Sequence, residues 1–217
     1  MSRIVGPVWI GASRRATPVS YHWGRERGTP IDRYYIEQFL DAHRADIRGR
    51  VLEVMDSRYT DRFGASVERV DVLDVSGENS AATIVADLGA ADPVPSEAFD
   101  CFVLTQTLHY VYDLQTAVRQ IYRLLREDGV VLATLPAVSK IDTSARVPDL
   151  WRFTAASAER LFADVFGREQ LAIESYGNVL AANAFLMGIA AEEVPPRKLD
   201  HRDPVFPVVL AVRAVRS

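Results

Sequence analysis

The sequence predicts an α/β fold built on a mostly parallel sheet, and three observations predict it. From Gly49 onward, short β-type apolar runs alternate with segments of helical spacing. Glycine and proline punctuate the joins. The chain has 217 residues, 48% of them hydrophobic, which is enough for one sizeable core and short for two full domains. Strands that alternate with helices become parallel neighbours, because a parallel pair needs a crossover between its members.

Residues 1 to about 28 carry no periodic pattern; "VSYHWG" supplies aromatics and "RERG" a charged knot, so the expectation is an arm or flap. "TPIDRYYIEQFLDAH" follows as a helix, with Thr29 as cap, Pro30 at the first helical position, Asp32 where a capping box wants an acid, and Ile31, Tyr35, Ile36, Phe39 and Leu40 on one face. The organisation is therefore 1–48, arm and helix with the potential to act as a lid, and 49–217, the core domain. In the core, "RVLEV", "VERVDVLDV", "TIVADL" and "FDCFVLTQ" read as strands. Leu114, Ala117, Val118, Ile121, Leu124 and Leu125 keep helical spacing, with Gly129 expected as a left-handed cap before the strand "VVLATLP". A helix capped by Thr154 comes next, then the strand "LAIESYG", a helix "VLAANAFLMGIAAEE" stopped by Pro195 and Pro196, and a closing strand "FPVVLAVRAV" placed to run antiparallel.

A net charge of -4 with scattered basic residues excludes a broad basic field, so nucleic acid is not an expected partner. Cys101, the single cysteine, lies in an apolar run and reads as a buried, inert thiol; neither a disulfide framework nor a Cys/His metal site is expected. No run reaches the roughly 18 apolar residues of a membrane helix, and the N-terminus does not read as a signal peptide, which gives a cytoplasmic expectation with no membrane partner. Oligomeric state is not legible.

In order and spacing, "RGTPIDRYYIEQFL", "GRVLEV", "VLDV", "ATIVADL", "FDCFVLTQTLHYVYD", "LLREDGVVLATLP" and "DLWRFT" resemble a class I S-adenosylmethionine-dependent methyltransferase. The likeness is to the type 11-like subgroup whose motifs also occur beside bacterial glycosyltransferases, and it covers roughly residues 20 to 217. It implies a Rossmann-like seven-stranded sheet with its last strand antiparallel, and S-adenosylmethionine across the carboxyl ends of the early strands. One departure stands out. Where the family has a glycine-rich turn after the first strand, this chain has "EVMDSRYTDRFG".

The resemblance also implies site residues. Glu53 matches the acid of the first motif; Asp56 could accept from the cofactor's ammonium, Tyr59 could line the pocket, and Arg33, or Arg58 in the turn, could meet the methionine carboxylate. Asp74 is the acid for the ribose hydroxyls, with Asp71 as the other register. Asp87 and the backbone of Leu88 face the adenine. Thr105 belongs to the cofactor's residues and, with Gln106 and Tyr110, shapes the wall near the methyl position. His109, with an ordinary imidazole pKa of about 6.5, is the candidate general base. Tyr21, His22 and Trp23 could form a lid or anchor the arm. His43 is expected on the outer face of its helix and His201 in a polar loop. Trp151 and Phe153 read as core, and Arg152 as an acceptor or backbone clamp.

Two functions stay open. One is small-molecule or saccharide methylation, probed first as O-methylation of a glycan-linked hydroxyl. The other is a non-catalytic methyltransferase-like domain serving as a partner or regulatory module.

Overall fold

The computed structural model describes residues 15–90, 93–145 and 147–217; the part of the arm before residue 15 lies outside the described residues. Seven strands form one sheet in the order β3-β2-β1-β4-β5-β7-β6. They are β1 (Arg48–Val54), β2 (Ser66–Asp74), β3 (Ile84–Val85), β4 (Phe99–Thr105), β5 (Leu125–Pro136), β6 (Leu171–Tyr176) and β7 (Val209–Val215). The first five run parallel, while β7 is antiparallel to both β5 and β6. The order reverses between β1 and β4, which opens a crevice at their carboxyl ends.

The period-2 alternation of the strands distributes their side chains between two apolar layers. Leu52, Phe102, Leu104, Val131 and Ala133 face the layer completed by α3 (Leu114–Leu124) and α4 (Ala155–Phe166). Val51, Cys101, Val103 and Leu132 face the layer completed by α1 (Ile31–Ala42) and α5 (Val179–Met187). Two short helices, α2 (Arg58–Phe63) and α6 (Pro196–Leu199), complete the set. Cys101 is fully buried, and burial pushes its thiol pKa up.

Several local expectations need correction. Thr29 does not cap α1: its backbone N–H and hydroxyl both donate to Glu192, at 2.9 and 2.7 Å, so the residue fastens the arm to the 3-10 turn Ala191–Glu193, and Pro30 takes the cap position without a side-chain bond. Gly129 lies inside β5, and the left-handed residue is Asp128 at φ 61°. The helix after β6 ends earlier than expected, at Gly188 (φ 68°), and Pro196 starts a new short helix rather than stopping the old one. His43 is not on an outer face but caps α1 half-buried, its Nε2 3.2 Å from Glu174. Thr154 caps α4 with a reciprocal bond to Ser157.

Candidate functional site

A cavity of about 1380 Å³ occupies the crevice at the carboxyl ends of the parallel strands. Its wall includes Arg33, Glu53, Asp56, Tyr59, Asp74, Asp87, Leu88, Thr105 and His109, so the fold gathers these nine sequence-derived candidates around one space. Asp71 is not among them. It lies mid-strand, where Arg50 and Arg69 donate to it at 2.7 and 2.8 Å and hold its carboxyl low against the opposing effect of burial.

The inner wall follows β1. Glu53 is buried, and its two oxygens accept from the backbone N–H groups of Tyr59 and Thr60 at 3.1 and 2.8 Å. A carboxylate thus satisfies the open donors at the start of α2, and burial still raises its pKa despite those bonds. The turn between them has no glycine, yet Met55 adopts the left-handed backbone at φ 70°. Its N–H donates to Leu73 O at 3.0 Å, and its carbonyl accepts from Asn79 Nδ2 at 2.7 Å. The path that glycine usually provides is therefore kept by a residue for which it is strained. Gln106, the residue after β4, is also left-handed, at φ 46°. Both central strands at the crevice consequently end in a strained non-glycine residue.

Farther along the wall, Asp74 ends β2 and accepts from Ser76 N at 2.9 Å and Asn79 Nδ2 at 2.6 Å. An ionised carboxylate has about four acceptor positions, so room remains for hydroxyl donors. Asp87 is exposed and accepts from Gly89 N at 2.8 Å, while Leu88 beside it is buried. Asp56 pairs with Arg58; burial works against its ionisation, but the guanidinium and the Arg58 N–H prevail and its pKa is lowered. That pairing occupies Arg58. Arg33, in the first turn of α1, forms no ion pair among the described residues, and its charge bears on Asp56 and Tyr59.

The outer wall is different. His109 sits in a short 3-10 turn after β4, 5% exposed, with its Nδ1 sealed and without a hydrogen-bond partner. Burial pushes its pKa down to about 4, so the ordinary imidazole expected from the sequence is not what the site holds. Asp149 and Arg152 form a pair behind it, and Arg152 also donates to the carbonyls of Val138 and Lys140, which makes it a clamp on the loop after β5. Tyr110 donates to Asp142 at 2.9 Å. Phe153 is buried as expected, but Trp151 is not core: it is 38% exposed, bonds Val111 O through Nε1, and lies 6.4 Å from the exposed ring of Tyr112.

On this side Trp23 of the arm lines the cavity, with Lys140 Nζ 3.2 Å from the centre of its ring. Tyr21 points to solvent, while the hydroxyl of Ser20 accepts from the N–H groups of His22 and Gly24. Sequence reasoning missed Asn79, which ties Met55 to Asp74, and Lys140. Both lie in loops that follow strands at the crevice end, and that placement was the only signal available for them.

Residues 45–133 match the family described as a methyltransferase domain. No curated protein matches the sequence. Among solved structures, the chain resembles 1,6-didemethyltoxoflavin-N1-methyltransferase from Burkholderia thailandensis, solved with 1,6-didemethyltoxoflavin and S-adenosylhomocysteine (TM-score 0.55, 17% identity, 91% of this chain and 84% of that one). It also resembles a SAM dependent methyltransferase from Archaeoglobus fulgidus (0.56, 10%, 84% and 94%) and the cyclase SpnF (0.55, 14%, 88% and 83%). At these identities the likeness is one of fold.

Proposed function

We propose that the chain is an S-adenosylmethionine-dependent methyltransferase that acts on a small molecule, by transfer to an oxygen, with a saccharide hydroxyl as the first acceptor to try. The observation that carries this reading is the large cavity across the β1/β4 crevice, with the acid of β2 and the acid after β3 among its lining residues. It lies within a chain that matches a methyltransferase domain over residues 45–133.

The residues present fit the cofactor. Asp74 would accept from ribose hydroxyls, Asp87 and the Leu88 backbone would meet the adenine, and Asp56, Tyr59 and Arg33 would surround the amino-acid end. Glu53 would act from behind, fixing α2, and Thr105 would floor the space at the end of β4. The left-handed Met55 keeps the turn open in the way the missing glycine would. When bound, S-adenosylmethionine supplies an activated methyl group on a sulfonium. The chain then has mainly to align the acceptor and exclude water, and alignment alone can contribute on the order of 7–11 kcal/mol.

His109 is assigned to the acceptor side as a positioning group. Burial of the charged ring lowers its pKa to about 4, so the imidazole is neutral at working pH, and Nδ1 is sealed without a hydrogen-bond partner. The neutral ring instead offers Nε2 as a hydrogen-bonding atom. Tyr112 on the cavity wall, with the Trp151 ring 6.4 Å from it, suits the apolar face of a sugar or a planar ring.

The second reading, a methyltransferase-like module without transfer activity, is favoured by the inner carboxylates already being engaged by the chain's own groups. Melting with and without millimolar S-adenosylhomocysteine, followed by isotope transfer from labelled S-adenosylmethionine to a panel of sugars and hydroxylated aromatics, separates the two. A thermal shift with label transfer supports the enzyme. A shift without transfer to any panel member favours the module, and no shift removes the cofactor from both.

A further inference from the structure

Five cationic side chains line the cavity among the described residues. Two are matched from within the chain, Arg58 by Asp56 and Arg152 by Asp149. The side chains of Arg25, Arg33 and Lys140 form neither an ion pair nor a hydrogen bond among the described residues. Arg33 is placed above at the amino-acid end of the cofactor, which leaves Arg25 and Lys140 without a use.

Both stand against one aromatic ring. Lys140 Nζ lies 3.2 Å from the centre of the Trp23 ring, and the Arg25 guanidinium carbon lies 5.8 Å from it. They come from separate parts of the chain, and each part is fastened. Trp23 holds left-handed backbone at φ 58°, and Gly24 follows at φ 81°, packed on the backbone of Gly188 and Ala190. The arm is tied down on either side of them, by Val19 N–H to Met187 O at 2.7 Å and by the Arg27–Glu193 pair. Such anchoring is what keeps a strained residue in place. The loop that carries Lys140 is held by Arg152, which donates to Val138 O and Lys140 O, and the bond from Tyr110 to Asp142 joins it to the turn that contains His109. The two cations therefore belong to the acceptor side.

The carboxylates of that side do not answer them. Asp142 accepts from Tyr110 and from the N–H and hydroxyl of Ser144, while Asp149 accepts from Arg152 and from Asp142 N. Two like charges beside one ring repel, and burial lowers the Lys140 pKa. An anion placed against them offsets both effects.

Resting on the cofactor reading above, we infer that the acceptor of this site carries an anionic group, a carboxylate or a phosphate ester, which Lys140 and Arg25 hold beside Trp23. Among saccharides and hydroxylated aromatics, the acids and the phosphates are then the members that bind.

The test is a ligand-observed NMR titration of the whole chain, saturated with S-adenosylhomocysteine and held at constant ionic strength, with benzoate, phenyl phosphate and benzamide. The wild-type protein should bind at least one of the anions about fivefold more tightly than the neutral amide. Which anion shows the preference assigns the group. In Lys140→Gln the preference should fall to within about twofold with benzamide affinity held, and Lys140→Arg, which keeps the charge, should retain it. Arg25→Gln provides the same comparison if Lys140→Gln does not fold. A wild-type protein that prefers neither anion, a glutamine variant that keeps the preference, or an arginine variant that loses it as fully as the glutamine one overturns the inference and leaves the cofactor reading intact. A preference seen only without S-adenosylhomocysteine assigns the anion to the position of the cofactor's own carboxylate and also overturns the inference. Failure of S-adenosylhomocysteine itself to bind the wild-type protein overturns both.

Discussion

The two walls of the cavity are built by different means. On the inner wall, from β1 to the turn after β3, each carboxylate is satisfied by a group within seven residues of it in sequence: Glu53 by Thr60, Asp56 by Arg58, Asp74 by Asn79 and Asp87 by Gly89. On the outer wall the pair Asp149–Arg152 is local, but other contacts span longer distances, Tyr110 to Asp142, Trp151 to Val111 and Lys140 to Trp23. There, two buried polar atoms, Asp32 Oδ1 and His109 Nδ1, have no partner. The inner wall's carboxylates are satisfied without a ligand, although Thr60 Oγ1 behind Glu53 has no hydrogen-bond partner, while the outer wall leaves a carboxylate oxygen and a ring nitrogen unmatched. Local bonding fixes the shape of one compartment, while the other leaves polar valences for what it receives.

The strongest way to break this contrast is to remove the bond that organises the inner wall. Glu53→Ala leaves the Tyr59 and Thr60 N–H groups facing a void and should lower stability by about 3 kcal/mol, since bonds to a charged acceptor contribute roughly 1.5–3 kcal/mol each and do not add fully. Urea unfolding measures it. A loss below about 1 kcal/mol would mean that α2 is held by its apolar packing instead.

The outer wall gives the next largest effect, through pH. His109 has a folded pKa near 4 against an unfolded value of about 6.5, so between these values the unfolded chain binds the proton and the folded chain does not. Stability is intact above pH 6.5 and is lost as pH falls toward 4, by on the order of 2–3 kcal/mol from this group. Unfolding curves of the wild-type protein and His109→Asn should converge as pH falls through that window. Parallel curves would show that the ring is more solvated than its burial indicates.

Asp74→Ala sharpens the contrast from the ligand side. It should leave melting nearly unchanged and weaken S-adenosylhomocysteine binding by about 2 kcal/mol, roughly thirtyfold. Unchanged affinity in the folded variant would remove Asp74 from the ribose position.

The same division explains what the sequence made legible. The strands and their order of use are written in apolar runs and in the spacing of Leu114 to Leu124, and the inner-wall acids stand at strand ends where a motif can mark them. Gly129 was expected as the left-handed cap, and Pro195 and Pro196 as the stop of the later helix; the left-handed residues are Asp128 and Gly188, because that choice is made by tertiary fit, not by composition alone. Thr29 looked like a cap because Glu192, its true partner, is 163 residues away. The depressed pKa of His109 was illegible for a related reason: nothing near it in sequence announces that its surroundings exclude water.

The smallest predicted effect addresses the glycine-poor turn directly. Met55 holds φ 70° while its side chain is 64% exposed, so its packing contributes little and its backbone carries the strain. A left-handed residue with a Cβ costs roughly 1–2 kcal/mol, and glycine relieves that at an entropic cost of about 0.5–1 kcal/mol. Met55→Gly should therefore raise stability by about 0.5–1 kcal/mol and leave S-adenosylhomocysteine affinity unchanged or slightly better. Gln106→Gly tests the same relief at the other central strand, where the N–H to Thr134 O bond of 2.9 Å must be retained. If Met55→Gly instead weakens binding tenfold or more, the methionine side chain is a part of the pocket, and the turn is a specialised wall in its own right. If the variant gains stability and keeps affinity, the glycine of the usual turn is dispensable wherever Leu73 O and Asn79 hold the same backbone path from outside.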